Sequence, residues 1–301
     1  MSSYSIKDLE QLSGIKAHTL RIWEQRYSLL NPKRTETNIR YYDDSDLKLI
    51  LNVSLLNSKG IKISKIAAMS RVEIGNEIIR LTEESLDHND HIEALTICMV
   101  EMDEERFEKI LNTNIIKFGF ENTIIKIVYP FLSRIGVLWQ TGAINPAQEH
   151  FISNLIRQKL IVALDGQVHI KGGKKFLLFL PAGELHEISL LFSTYLIKKS
   201  GHKVIYLGQS TPIEDLISVY KLHQPDYLFT IITTSPSGEK MQSFLDVMSS
   251  KFQDAEILIS GLQTLDSELH ISSNITVLAN SKDIKNILQN IDQVEQKYNL
   301  R

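Results

Sequence analysis

Residues 175–189 read KFLLFLPAGELHEIS. An unbroken apolar run of this length, closed by Pro-Ala-Gly, suits a strand buried on both faces. The helical spacing that resumes at residue 186 suits a crossover helix. Downstream the unit recurs, in KVIYLG (203–208), DYLFTIIT (226–233), EILIS (256–260) and ITVLA (275–279). Helical patterns follow these runs over 186–200, 212–223, 238–252, a shorter stretch near 264–270, and 282–297. Such alternation predicts a parallel sheet covered on both faces, the doubly wound α/β class. In the flavodoxin-like strand order 2-1-3-4-5, the ligand crevice opens between the loops after the first and third strands.

Those loops are PAGELHE and TTSPSGE. No G-x-G-x-x-G follows the first strand and no Walker lysine is present, which argues against dinucleotides and P-loop nucleotides. The first loop offers Glu184-x-His186 instead. A histidine at the carboxyl end of a strand, with a carboxylate two residues away, can be oriented and made more basic by a hydrogen bond. Thr233, Thr234 and Ser235 after the third strand, and Ser260-Gly261 after the fourth, are small and predict a slot between strands. Two readings fit: a capping histidine beside ordinary loops, or a metal-competent imidazole next to a slot for a ligand's tail.

Residues 73–165 read as helices throughout, in the segments NEIIRLTEESL, HIEALTICMVEMDEERFEKILNTNIIKFG, TIIKIVYPFLSRIGVLW and AQEHFISNLIRQKLIVALDGQ. Alternating apolar stripes and short breaks predict a four-helix bundle. DHNDH (87–91) has metal-competent side chains but no thiolate, and reads as a solvated inter-helical loop. Between the third and fourth segments lies WQTGAINPAQEH (139–150). Pro146 stands where the first turn of a helix tolerates proline, so Glu149 and His150 fall in the opening turns of that helix, nine intervening residues beyond Trp139.

The first 71 residues carry twelve Lys/Arg against seven Asp/Glu, about +5, which leaves the rest near −8 of a total of −3. A basic head on an acidic body suits a nucleic-acid-binding module joined to something else. In YSIKDLEQLSGIKAHTLRIWEQRYSLL, Ile6, Leu9 and Leu12 recur at helical spacing and Gly14 breaks the pattern. A second helix then carries Leu20, Trp23 and Tyr27 on one stripe. Opposite that stripe lie His18, Thr19, Arg21 and Arg26. Two short helices about a glycine turn make a helix-turn-helix, whose second helix enters a major groove. Pro32 stops it, TETN turns, and IRYY is extended, so Arg34, Arg40 and Tyr41 form a wing suited to phosphates. A packed helical hairpin with a charged face fits the periodicity equally well.

At 301 residues and 43% hydrophobic, the chain can bury a sizeable core in two or three domains. One cysteine, Cys98, excludes an internal disulfide. No leader pattern or membrane-length apolar run is present, and a soluble cytoplasmic protein is expected.

The helix-turn-helix with TLRIWEQRY, a P-x-R step and then R-x-Y-x-x-x-D-L (Arg40, Tyr42, Asp46, Leu47) resembles the winged DNA-binding domain of the MerR family. Asn38 stands where that family often has Gly, and Asn tolerates the left-handed turn required. ELHEIS…TTS…SG resembles the cobalamin signature D-x-H-x-x-G…S-x-L…GG. WQTGAINPAQEH is similar to the W-x9-E-H element of MerR-type cobalamin-dependent regulators, the CarH and LitR group. The resemblance implies three domains: 1–72 the winged head, 73–168 a helical cap, and 172–301 a Rossmann-like cobalamin domain. It implies a non-enzymatic repressor that binds operator DNA as a homo-oligomer, dimer or tetramer, controlled by adenosylcobalamin and by light. His186 would be the lower axial ligand of cobalt, oriented by Glu184, with the nucleotide tail in the slot of Thr233, Ser235 and Gly261. Trp139, Glu149 and His150 would cap the upper face. Two departures are Ser189 where the signature has Gly, and one glycine at Ser260-Gly261 where it has two. Photoreceptor members carry a His directly after the Trp; here Gln140 stands there and makes a poor cobalt ligand. The alternatives are a MerR-type regulator with a cobalamin-independent interaction scaffold, and a corrinoid-carrying methyltransferase subunit, against which the basic head argues.

Overall fold

A capping box opens α1 (Ile6–Ser13): Asp8 N donates to Ser5 Oγ at 3.3 Å and Ser5 N donates to Asp8 Oδ2 at 2.6 Å. Gly14, at φ 71, ends it in the left-handed turn that the break in periodicity predicts, and α2 (Ala17–Tyr27) follows. Leu9, Leu12, Leu20 and Trp23 are buried between them. The wing is β1 (Lys33–Arg34) paired antiparallel with β2 (Arg40–Tyr41), and its turn holds Asn38 at φ 64. A second capping box, Asp43 with Asp46, starts α3 (Asp44–Ser58). Hydrogen bonds from Lys33 and Ser45 hold the Asp43 carboxyl well below the usual carboxylate range. The computed structural model describes residues 4–35, 37–84, 87–140, 144–167, 173–265, 269–280 and 283–291.

Helices continue as α4 (Ile63–Ile66), α5 (Arg71–Glu84), α6 (His88–Glu101), α7 (Glu104–Phe118), α8 (Phe120–Thr123), a π turn over Ile124–Val128, α9 (Tyr129–Gln140) and α10 (Pro146–Asp165). Two expectations change here. The long second segment is two helices, because Met102 takes φ 51 and Asp103 caps α7 by accepting from Arg106 N at 3.0 Å. DHNDH is no solvated loop. Asp87 caps α6, Asp90 is buried and paired with Lys59, and His91, fully buried, meets Asn114 Nδ2 at 3.1 Å through Nδ1. No group of metal-ligating side chains occurs among the described residues. Pro146 does open α10, whose N-terminus is closed by reciprocal 3.1 Å bonds between Asn145 and Gln148.

Two compact units divide the chain at Leu155/Ile156. The second contains a five-stranded parallel sheet of β3 (Lys175–Pro181), β4 (Lys203–Thr211), β5 (Tyr227–Ile231), β6 (Glu256–Ser260) and β7 (Ile275–Leu278). Its order is β4-β3-β5-β6-β7, the 2-1-3-4-5 arrangement expected. Inner strand β3 is buried from Phe176 to Pro181, as its unbroken apolar run requires, whereas edge strand β4 is largely half-exposed. Crossovers are α11 (Ile188–Lys199), α12 (Ile213–His223) and α13 (Glu239–Lys251), and a further α-helical stretch over 283–291 follows β7. The short helix expected near 264–270 falls partly on residues 266–268, outside the described residues; the described part holds a 3-10 turn, Leu262–Leu265. Phe179, Ile232, Leu245, Met248, Phe252 and Ile257 are among the buried side chains of one face's core. Edge strand β4 runs three residues beyond its apolar pattern. Its register against β3 shifts at Leu178/Phe179 and Phe179/Pro181, and Gly208 and Ser210 take positive φ of 81 and 49. No helix among the described residues is long and apolar enough to cross a membrane.

Candidate functional site

The residues expected to meet DNA lie on α2 and the wing. His18, Arg21, Arg26, Arg34 and Arg40 are exposed, and Thr19 and Tyr41 half-exposed, while the opposite stripe of α2 is buried. Two of the cations are pre-positioned. Arg34 Nη1 donates to Asn38 Oδ1 at 2.6 Å across the wing turn, and Arg40 Nε lies 3.6 Å from Glu24 Oε1. Glu24 also accepts from the buried Tyr42 hydroxyl at 3.2 Å. Burial, and then the Glu24 charge, push that phenol up to about 12. The wing is thereby tied to α2, so helix and wing present their cations as one surface.

In the second unit the site is organised around Glu184, whose side chain is completely buried at the end of the loop after β3. Oε1 accepts from Leu185 N at 2.9 Å, from His186 N at 3.0 Å and from His186 Nδ1 at 2.6 Å. Oε2 accepts from the backbone N–H of Thr233 at 2.8 Å, Thr234 at 2.6 Å and Ser235 at 3.2 Å. One carboxylate therefore joins the loops after the first and third strands. Burial by itself would raise its pKa; the hydrogen bonds from the His186 ring and from the N–H groups of Thr234, His186 and Ser235 overturn that and hold it well below the usual range.

His186 is 59% exposed, and its Nδ1–H is committed to Glu184. In the neutral ring a proton held there leaves Nε2 as the lone-pair nitrogen, the form in which imidazole binds a transition metal. Gly261 is required by its surroundings. At φ 111, a Cβ would lie 2.3 Å from the carbonyl oxygen of Ile232, so only glycine lets the loop after β6 approach β5 so closely. Gln263 Nε2 then donates to Thr233 O at 3.2 Å. The structure thus brings Glu184, His186, Thr233 and Ser235 together, with Gly261 beside them through Ile232.

Sequence reasoning missed three contributors. Ser210 Oγ accepts from Gly183 N at 3.1 Å and Ser210 N donates to Glu184 O at 3.1 Å, while Gln209 Nε2 reaches Leu185 O at 2.7 Å. The extended end of β4 therefore clamps the His186 loop from the side opposite β5. Glu187, buried next to His186, pairs with Arg157 of α10 and accepts from Tyr206 hydroxyl at 2.9 Å. Burial, then the bond to Glu187, pushes the Tyr206 phenol far above its usual range. Glu187 is visible in ELHE, but nothing in the sequence pairs it with residues 157 and 206.

Of the expected upper-face residues, Glu149 and His150 lie in the first turns of α10. Their side chains meet at 3.2 Å (Oε2 to Nδ1), and His150 is 73% exposed. Trp139 and Gln140 end α9, and their side chains lie outside the described residues.

Residues 4–72 match the family described as MerR HTH family regulatory protein, and residues 91–163 match the family described as B12 binding domain. The chain joins a MerR-type head to a B12-binding domain. It is homologous to the HTH-type transcriptional repressor CarH of Myxococcus xanthus, 27% identical over 249 residues, 81% of this chain and 83% of that one. The HTH-type transcriptional repressor CarA of the same organism is 26% identical over 262 residues, 85% of this chain and 86% of its own. Among solved structures, the monomethylamine corrinoid protein of Methanosarcina barkeri superposes with a TM-score of 0.56 over 67% of this chain and 99% of its own. At 14% identity that likeness speaks to fold alone. The B12-binding match covers α6 through most of α10 and includes Glu149 and His150.

Proposed function

We propose that this chain is a DNA-binding transcriptional repressor whose assembly on operator DNA is controlled by adenosylcobalamin. The observation that carries the reading is His186: an exposed imidazole in the loop at the carboxyl end of β3, its Nδ1 fixed by a fully buried carboxylate. This donor set fits a cobalt ion, and small residues at Thr233, Ser235 and Gly261 fit a ligand tail entering beside it. Glu184 keeps the imidazole in one tautomer and one orientation, and Ser210 and Gln209 hold its loop against β4. From the helical unit, Trp139 would offer apolar area and Glu149 and His150 polar partners for the ligand's ribose. When bound, adenosylcobalamin supplies a photolabile cobalt–carbon bond, which makes light a natural input. A homo-oligomer then follows from linkage: a ligand favouring one assembly of the heads shifts the population toward it. The protein works in the cytoplasm on this reading.

Absorption spectra of the purified chain with adenosylcobalamin in the dark test the first step. Size-exclusion profiles before and after green light, with operator retardation in both states, test the second. Unchanged spectra would move the reading to a cobalamin-independent scaffold. That second reading draws on the Gln263–Thr233 bond, which ties the loops after β5 and β6 directly to each other. Changed spectra with identical profiles and retardation would keep ligand sensing and remove light.

A further inference from the structure

The first unit holds a cavity of about 350 Å³, within the ~300–1,000 Å³ range of small-molecule sites, that involves none of the residues assigned above. It is lined by Lys48 and Asn52 of α3, Arg71 and Gly75 of α5, Glu101 at the end of α6, and Arg106 of α7.

Three observations converge on it. First, Arg106 is only 9% exposed; Nη1 reaches Glu101 Oε2 at 3.4 Å, while Nε and Nη2 have no hydrogen-bond partner among the described residues. Those two nitrogens form one edge of the planar guanidinium, the fork that takes two oxygens of a carboxylate or phosphate at once. A buried fork left open is costly, and a missing ion or ligand is a standard physical reason for one. Asn52, 6% exposed, donates through Nδ2 to Lys48 O and Glu101 Oε1, but its Oδ1 is likewise unpartnered and suits a hydroxyl or N–H donor. Second, Gly75 sits inside α5, where glycine weakens a helix, yet a Cβ built there meets nothing within 4 Å. Packing does not demand glycine at that position; the open space beside it belongs to the cavity. Third, the lining carries three cations, Lys48, Arg71 and Arg106, against Glu101 and Asp103, and Glu101 is shared between Lys48, at 3.2 Å, and Arg106. Asp103 is committed to capping α7, and Arg71 is exposed at the start of α5.

We propose that this cavity binds a small metabolite through a carboxylate or phosphate, gripped by the Arg106 fork and by Arg71. An occupant would touch α3, the last long helix of the DNA-reading head, together with α5 and α7. The head would thereby have a second chemical input, independent of cobalamin.

The test uses the full chain. Both tryptophans, Trp23 and Trp139, precede residue 156, so thermal unfolding followed by tryptophan fluorescence reports the unit that holds the cavity. Inorganic phosphate and acetate are titrated against chloride at matched ionic strength. The midpoint should rise saturably with at least one oxyanion, and the tighter of the two identifies the group recognised. Arg71→Gln should raise the half-saturating concentration at least tenfold, and Gly75→Leu, which fills the cavity, should abolish the response. Arg21→Ala should leave it intact, which separates the cavity from phosphate adsorbed on the DNA-reading face. Equal midpoints in all three salts would overturn the proposal, as would an undiminished response in both Arg71→Gln and Gly75→Leu.

Discussion

Replacing Glu184 by Gln should do more damage than the loss of one charge suggests. The native carboxylate accepts six N–H groups, three on each oxygen: Leu185 N, His186 N and His186 Nδ1 on Oε1, and Thr233, Thr234 and Ser235 N on Oε2. A glutamine has one acceptor oxygen, so in either orientation its amide N–H₂ faces three donors at hydrogen-bond distance. Hydrogen bonds to a charged group are each worth roughly 1.5–3 kcal/mol net, and breaking a buried charge's pairing costs about 3–5 kcal/mol. Relaxation of the two loops recovers part of the loss, so a deficit of about 3–5 kcal/mol in the second unit is expected at neutral pH. The deficit should depend on pH with a definite sign. Glu184 titrates below its unfolded value of about 4.3, so its stabilisation is complete above that pH and fades as pH falls toward the folded value. The gap between wild type and variant should therefore narrow below about pH 4. Far-UV circular dichroism and amide exchange over 175–260 would follow the sheet, while tryptophan fluorescence, confined to the first unit, serves as the internal control. A variant within 1 kcal/mol of wild type, with unchanged exchange at His186 and Thr233–Ser235, would refute the view of Glu184 as the knot between the loops.

His186→Ala should lose most cobalamin affinity, or give a spectrum without protein nitrogen on cobalt, while its amide-exchange pattern stays near wild type because the backbone bonds to Glu184 remain. Gly261→Ala should destabilise the sheet unit by at least about 2 kcal/mol in urea unfolding, since its Cβ meets backbone rather than a yielding side chain. Arg21→Ala should weaken specific operator binding by roughly 1–3 kcal/mol and relax specificity at one position in gel retardation. Arg40→Ala should weaken all duplexes alike and reduce the salt slope by about 1, the mark of a phosphate contact.

The sheet was legible because a strand buried on both faces must be apolar throughout: KFLLFLP announces an inner strand, and the helical spacing after each run announces the crossovers. Gly14, Asn38 and Pro146 were equally readable, each a backbone conformation only certain residues accept cheaply. Long-range polar pairing was not. Glu184 looks like a local partner of His186, and nothing in TTSPSGE says that three of its N–H groups point at a carboxylate some fifty residues earlier. Ser210 was hidden for a related reason: β4 continues past its apolar pattern by taking positive φ at Gly208 and Ser210, and such residues carry no alternation to read. DHNDH misled in the opposite direction. Its charges suggest solvent, but Asp90 and His91 face inward because Lys59 and Asn114 are there to meet them.

Between a regulator and a corrinoid carrier, the sheet itself is neutral. A fold that superposes on a methylamine corrinoid protein at 14% identity says what shape can hold a corrinoid, and sites rather than folds carry function. Glu184 and His186 would serve either protein. What separates the two is the other end of the chain. A methyl carrier has no use for a helix that buries Leu20 and Trp23 while exposing His18, Arg21 and Arg26, nor for a wing whose Arg34 is held by Asn38 and whose Arg40 is held by Glu24. Fixing two long cationic side chains costs conformational entropy and, at exposed ion pairs, returns little stability. Such an arrangement makes physical sense when a partner with regularly spaced negative charge rewards it, and duplex DNA is that partner.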